Sequence, residues 1–247
     1  MKSSPLKRLV RDWRISLLTA VLLPLFVCLG FWQLQRADVH RKMESTADAR
    51  REQAPVNVLQ IKDWLQPDAL QYLPVTLQGR WLQPVFLLDN QTRQQKPGYD
   101  VIGVMQLEDG RQMLVNRGWV AGMALRTELP VIPATTDFLR ESAELYVTPE
   151  LLAAEPIYAE GGWPRRIAKL RVQGVAAEAH LDVLPVLARL KEGSPSAFVV
   201  GWPVTNIAPE KNIAYAIQWF AMAAALVVFY LALMFRREPN RGDNQDG

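Results

Sequence analysis

The chain has 247 residues, 49% of them hydrophobic, with 28 Lys and Arg against 25 Asp and Glu, one Cys and two His. That length allows one domain or slightly more, and the apolar content excludes a disordered or collagen-like polymer. A single Cys excludes an internal disulfide framework and any zinc site needing two thiolates, and two His argue against an all-His metal site.

The chain opens with a basic stretch in which Lys2, Lys7, Arg8, Arg11 and Arg14 stand against Asp12. The apolar run from Ile15 to Leu34 then carries no charge. At 1.5 Å per residue it reaches about 30 Å, the thickness of a hydrocarbon core. It exceeds the roughly 7–15 residues of a signal-peptide core, and no small-residue cleavage site follows, so it reads as an uncleaved transmembrane helix. Cys28 within it reads as a small lipid-buried hydrophobe. Residues 35–54 are charged and rich in helix formers, which predicts that the helix continues out of the membrane until Pro55.

Trp64 to Tyr72 is a short turn-rich or helical piece. Residues 72–82 alternate, with Val75, Leu77, Gly79 and Trp81 on one face, and predict a strand. Val85 to Asp89 is a second strand and Tyr99 to Leu107 a third. Asp109-Gly110 is a hairpin signal, so Gln112 to Val120 is a fourth strand antiparallel to the third. Leu125 to Pro164 contains Pro130, Pro133, Pro149, Pro156 and Pro164 and reads as a long irregular connection. Ile167 to Ala176 reads as another strand, Ala177 to Lys191 as a short helix interrupted by Pro185, and Ala197 to Pro203 as a last strand. The second uncharged apolar run, Ile213 to Phe235, is a second transmembrane helix, followed by Arg236 and Arg237.

The expected fold class is therefore an α+β membrane protein: two transmembrane helices flank an extracytoplasmic domain with a mainly antiparallel sheet or partly closed barrel. The expected organisation is a basic cytoplasmic tail (1–14), a transmembrane helix (15–34), a periplasmic α+β domain (35–212), a transmembrane helix (213–235) and a cytoplasmic tail (236–247). Basic residues at both outer ends follow the positive-inside pattern, which places both termini in the cytoplasm and the middle outside. With nothing but Met1 before Lys2 there is no room for a transit peptide, so the expected location is a bacterial inner (plasma) membrane. The sequence pI near 9.1 belongs to the N-terminal tail. The chain's environment is a lipid bilayer, and no nucleic-acid footprint is present.

Catalytic constellations are missing from the sequence. There is no phosphate-cradling Gly-rich loop, no G-x-S-x-G, no H-E-x-x-H and no C-x-x-C, and only His40 and His180 could serve as imidazole bases. His40 reads as a solvated helix residue, or as a weak candidate for a haem or metal ligand near the membrane surface. An enzyme is not expected.

Polar and aromatic residues gather instead at the two membrane exits. Trp32, Gln33 and Arg36 share a face of the first helix, and Tyr215, Gln218 and Trp219 share a face of the second. An aromatic belt accounts for the rings and Arg36. Gln218 lies about a turn inside, where an amide needs a partner, and the alternative to the belt is a polar notch between the helices for a partner helix or a membrane-embedded ligand. The second concentration is Asn116-Arg117-Gly118-Trp119, either a packed strand end or a binding surface.

These residues carry a resemblance. Gly30-Phe31-Trp32-Gln33-Leu34 with Arg36 and Lys42, then Pro97-Gly98-Tyr99, then Asp109-Gly110 with Leu114 to Val120, and finally Pro209 to Trp219 resemble, in order, four motifs of the Surfeit-locus-one (Surf-one) family. The resemblance covers nearly the whole chain. It implies an assembly factor for a haem-copper cytochrome oxidase, assisting haem a insertion or stabilising subunit I, with subunit I or other assembly factors as partners. It also implies Gly98, Tyr99, Asn116, Arg117, Gly118 and Trp119 as a periplasmic motif. Haem a is the implied cofactor, but the family commonly carries a His three residues before its closing Tyr, and this chain has Asn212 there. A neutral amide is a poor axial ligand for haem iron. That leaves another ligand such as His40, a chaperone role without iron ligation, or a diverged paralogue. Two readings outside the family are a two-span structural or interaction module with a periplasmic binding domain, and an anchored periplasmic enzyme.

Overall fold

A computed structural model describes residues 13–64, 66–134, 137–153, 155–160, 162–204 and 208–235. The tail expected at 1–14 lies outside them except for Trp13 and Arg14, and the tail expected at 236–247 lies outside them altogether. In chain order the elements are α1 (Trp13–Arg51), β1 (Val56–Asn57), α2 (Pro67–Leu70), β2 (Pro74–Arg93), β3 (Lys96–Leu107), β4 (Gln112–Ala121), β5 (Phe138–Tyr146), α3 (Pro149–Leu152), β6 (Ala159–Glu160), β7 (Arg165–Ile167), α4 (Val172–Ala179), β8 (Val183–Leu190) and α5 (Pro209–Phe235). They divide into two units, one drawn from Met1–Glu44 and Val204–Gly247, the other Ser45–Pro203.

The first unit is the helix pair. Both helices are long and apolar enough to cross a membrane. As the charged stretch predicts, α1 continues past the apolar run to Arg51, four residues short of Pro55.

The second unit is a sheet closed on itself, and β2 is its hub. Pro74–Arg80 of β2 pair antiparallel with β5, Gly79–Arg93 pair antiparallel with β3, and Phe86–Leu88 run parallel to β7. β3 pairs with β4, β4 runs parallel to β8, and β8 pairs antiparallel with β5, which completes a ring of five strands. Gly79 sits where β2 meets β3 and β5 together. A Cβ there would stand 2.1 Å from the Gln106 carbonyl oxygen, so the ring closes at this point only around a glycine.

Strand alternation sends one set of side chains into the ring. Val75, Leu77 and Trp81 from β2, Met105 from β3, Met113 and Val115 from β4, Leu145 from β5 and Val186 and Leu190 from β8 form one buried core. The other face carries Phe86, Ile102, Val104, Leu114 and Leu187 under Ile167 and the α4 residues Val172 and Val175.

The α+β class and the mainly antiparallel sheet match the expectation, while several elements differ from it. The strands expected at 72–82 and 85–89 are one strand, because Pro84, which has no N–H to donate, falls in the register shift between Trp81 and Val85 and the ladder slips without ending. The strand expected over Ile167–Ala176 ends at Ile167. Val172, Val175 and Ala176 are then buried at helical spacing in α4. Of the helix expected over 177–191 only 177–179 are helical, as the end of α4; Val183–Leu190 form the strand β8, and Pro185 is accommodated because the pairing with β4 skips from Val183 to Leu187. The strand expected over 197–203 reduces to a single bridge between Val199 and Trp119. The connection expected to be irregular over 125–164 contains β5, a wall of the ring.

Candidate functional site

The two long helices run antiparallel. Ser16 Oγ lies 3.1 Å from the Tyr230 hydroxyl, the Phe26 ring packs against Trp219 at 5.8 Å, and Phe31 meets Phe220 edge-on at 5.4 Å. Gly30 permits this approach, since a Cβ there would meet the Phe220 ring at 2.6 Å. Thr19, Ala37, Ala216 and Ala223 are also buried, the small-residue pattern of helices packed in lipid.

The same register brings Gln33 and Asn212 to one level of the pair. Gln33 Oε1 and Asn212 Nδ2 are both buried without a hydrogen-bond partner, and Asn212 is 4% exposed. A buried amide left unpaired costs about 1–3 kcal/mol. This level of the helix pair therefore has one acceptor and one donor to offer. The other residues expected in the notch are disposed differently. Arg36 lies over Trp32 of its own helix at 5.7 Å, Trp219 is engaged by Phe26, and Tyr215 and Gln218 are on the exposed side of α5. His40 is half-buried on α1 and already engaged within the chain.

The six motif residues of the sheet domain form one constellation across β3 and β4. Gly98 pairs with Ala121 and Tyr99 with Val120. A Cβ on Gly98 would lie 2.5 Å from the Trp119 indole, so the P-G-Y glycine is the floor on which Trp119 rests. Trp119 Nε1 donates to the Gln91 carbonyl at 3.0 Å, tying β4 to β2. Asn116 uses both ends of its amide. Nδ2 donates to Asp100 Oδ2 at 2.9 Å, and Oδ1 accepts from the Gly118 N–H at 3.0 Å. Gly118 has φ +110°, and a Cβ would stand 2.9 Å from the Val199 carbonyl oxygen.

Arg117 points the other way, into the ring. It is 6% exposed, its guanidinium lies 4.8 Å from both the Trp81 and Phe198 rings, and Nε donates to the Ser196 carbonyl at 3.1 Å. Burial lowers its pKa, and the attraction of Glu141 opposes that effect. Asp100 is 7% exposed, with Oδ1 left without a hydrogen bond and Arg93 at 4.0 Å. Burial raises its pKa against the Asn116 hydrogen bond and the charges of Arg93 and Arg189.

A second polar constellation on the outer face of β5 and β8 has no counterpart in the sequence reading. Glu144 stands directly opposite Arg189 in register and is 2% exposed. It accepts from Arg189 Nη2 at 2.5 Å and from Arg51 Nε and Nη2 at 2.7 and 3.1 Å. Arg189 is stacked at 3.8 Å on Tyr146, with Trp202 at 5.2 Å. Burial drives the Arg189 pKa down. For Arg51 burial pulls the same way, but the Glu144 hydrogen bond and charge outweigh it and the pKa rises. The two move oppositely because Arg51 keeps about a quarter of its side chain in water while Arg189 keeps 7%. Its residues lie in stretches that read from the sequence as an irregular connection, 125–164, and a short helix, 177–191, so nothing there points to a cross-strand pair.

The four ordered motifs thus fall on the helix pair and on one β3–β4 cluster, and the chain matches the family model of the SURF1 family over residues 20–224. The chain belongs to the SURF1 family. It is 23% identical over 233 residues to a SURF1-like protein of Rickettsia felis, covering 91% of this chain and 97% of that one. A SURF1-like protein of Rickettsia conorii is also 23% identical over 233 residues, covering 91% and 92%. SURF1 proteins are cytochrome oxidase assembly factors rather than classical enzymes, and the two apolar helices make this member a membrane protein.

Haem ligation can be tested against the SURF1 helix pair. Asn212 offers an amide, Gln33 offers another, and the described residues contain no group of three or more His, Cys, Asp or Glu able to hold a metal ion. Amides donate and accept hydrogen bonds but are weak ligands for haem iron. The donor set does not fit an axial ligand at this level, and what it does fit is hydrogen bonding.

Proposed function

We propose that this SURF1 protein assists maturation of a haem-copper oxidase by holding apo-subunit I, or another assembly factor, at the level of Gln33 and Asn212 during haem a insertion. We place it in a bacterial inner membrane with both termini cytoplasmic and residues 35–212 periplasmic. The observation that carries the reading is the pair of buried, unpartnered amides at one level of the two helices. A transmembrane segment of the partner that presents a serine, threonine or amide side chain would satisfy both, at a gain of about 1–2 kcal/mol per bond in hydrocarbon. The antiparallel course of the helices supports termini on one side, and the basic ends support which side. The exposed rings of Trp32 and Tyr215 offer apolar surface on the outer sides of the two helices to the same partner.

The test is a reduced-minus-oxidised spectrum of membranes from a deletion strain, with oxidase activity alongside. A diminished haem a band restored by the wild-type gene is expected. Restoration should fail with the paired substitution Gln33→Leu and Asn212→Leu at normal protein levels, with loss of co-purifying subunit I. A full haem a band in the deletion strain refutes the assembly role. Full co-purification by the double variant refutes the amide site.

A further inference from the structure

In the Ser45–Pro203 unit a cavity of about 160 Å³ opens beside the ring, lined by Trp81, Leu82, Val85, Arg117, Ile132 and Trp163 among others. Among its described lining residues Arg117 alone carries a charge. That guanidinium is more than nine-tenths buried, faces two aromatic rings, and makes one hydrogen bond among the described residues, through Nε. No described carboxylate comes within ion-pair distance of it, and Glu141 acts on it from farther away. A buried cation without a direct counter-ion is costly, and an Arg fork presents two parallel donors that match one carboxylate.

We propose that this cavity binds a carboxylate borne on a ring-sized apolar body, with Arg117 as the anion's partner and Trp81 and Trp163 as the walls. One guanidinium with no second unpaired cation selects a monoanion over a phosphate. The neighbouring Arg165 is already paired with Glu178. The size selects the body, since a cavity of about 150 Å³ admits benzene. It also excludes a macrocycle, for which pockets run to several hundred Å³. The rest of the lining, Leu82, Val85, Ile132 and Pro133, offers apolar contact. The site lies wholly in the sheet domain and is independent of the helix-pair reading.

The experiment uses the full chain in detergent micelles, titrated with 4-fluorobenzoate and followed by fluorine NMR. 4-Fluorobenzyl alcohol supplies the body without the charge, and inorganic phosphate supplies the charge without the body. Saturable binding of the acid at least tenfold tighter than of either control is expected. Arg117→Gln should erase that preference. Trp163→Ala, at a half-exposed position, should weaken acid binding severalfold while the preference persists. N-acetyl-glycyl-phenylalanine and its C-terminal amide then separate a free acid from a peptide C-terminus as the source of the carboxylate. Binding of the peptide acid but not its amide, tighter than fluorobenzoate, assigns the site to a peptide end. Tighter fluorobenzoate assigns it to a small acid. Equal binding of acid and alcohol overturns the proposal, as does acid binding that Trp163→Ala leaves unchanged, an outcome that stands even if Arg117→Gln does not fold.

Discussion

Glu144→Gln is the most informative single change in the sheet domain. The substitution keeps the shape of the side chain and removes its charge. Glu144 is 2% exposed and neutralises Arg189, whose side chain is 7% exposed, together with Arg51. Without it Arg189 remains buried, stacked on Tyr146, with Nε already unsatisfied and no anion beside it. Removing one partner of a buried ion pair costs about 3–5 kcal/mol, because the remaining charge is stranded. For a chain of this size each kcal/mol shifts the melting temperature by about 2–4 °C, so a fall of about 6–20 °C is expected. Arg51→Ala should cost less, about 1–2 kcal/mol, since Arg189 still neutralises Glu144 and the lost group was partly hydrated. The double replacement Glu144→Leu with Arg189→Met should recover most of the loss, as apolar substitutes for a buried pair are often near neutral. The assay is thermal unfolding of the full chain in detergent by near-UV circular dichroism, which reports on Tyr72, Tyr146 and Trp202 around the pair. A Glu144→Gln variant within about 1 kcal/mol of wild type would refute the reasoning, since Arg189 would then not depend on this carboxylate.

Asp100→Asn tests the other buried carboxylate through pH. The Asp100 pKa is raised on folding by burial, so its stabilising contribution is full below the ordinary carboxylate value and is lost as pH rises through the raised one. The Asn variant should therefore unfold at a higher denaturant concentration than wild type at pH 7, with the gap closing as pH falls towards 4, and a gap independent of pH would contradict the burial argument. Gly118→Ala should destabilise the domain by about 1–3 kcal/mol, because alanine must hold φ +110° with its Cβ 2.9 Å from the Val199 carbonyl. Denaturant midpoints measure this, and an unchanged midpoint counts against it. Gly30→Leu should wedge α1 from α5 at Phe220. In a Cys28→Ser background, a disulfide between cysteines placed at Phe26 and Trp219 should form more slowly in membranes carrying Gly30→Leu, and undiminished crosslinking would show that the helices tolerate the wedge.

Much of the fold was legible wherever the local period was clean. Ile15–Leu34 and Ile213–Phe235 announce themselves by length and lack of charge, and Val75, Leu77 and Trp81 alternate as a one-sided strand should. Two of the misreadings share one cause, a local breaker overridden by tertiary pairing. Pro84 and Pro185 read as interruptions, yet each sits where the ladder already slips, so the lost N–H leaves no partner waiting. The strand β5 was hidden inside a proline-rich stretch that reads as an irregular connection, where Glu141 and Glu144 give no sign of their burial. The burial of Glu144 follows from a guanidinium on β8 and one at the end of α1, and a single sequence carries no sign of either.

The candidate site was legible to a different degree in each half, and the difference is physical. Asn116-Arg117-Gly118-Trp119 reads as a packed strand end or a binding surface, and the geometry packs it as a strand end while turning Arg117 towards a cavity. Gly118 and Trp119 fix the backbone against Val199 and Gln91, and Asn116 holds the turn of chain between them. Arg117, on the opposite side of the strand, carries the one charge among the cavity's described lining residues. Substituting Trp119 should therefore lower stability and ligand binding together, whereas Trp163→Ala should lower binding alone. In the helices the spacing rule selected Gln218 and Tyr215 because they share a face, but a face says nothing about which way it points. Orientation is set by where the small residues lie, and Gly30, Ala216 and Ala223 turn α1 and α5 so that Gln33 and Asn212 lie inward and Gln218 outward. The amide at position 212 offers this level of the pair hydrogen bonding rather than an axial ligand for iron, so the proposed partner segment would be selected by the donors and acceptors it can bring into lipid.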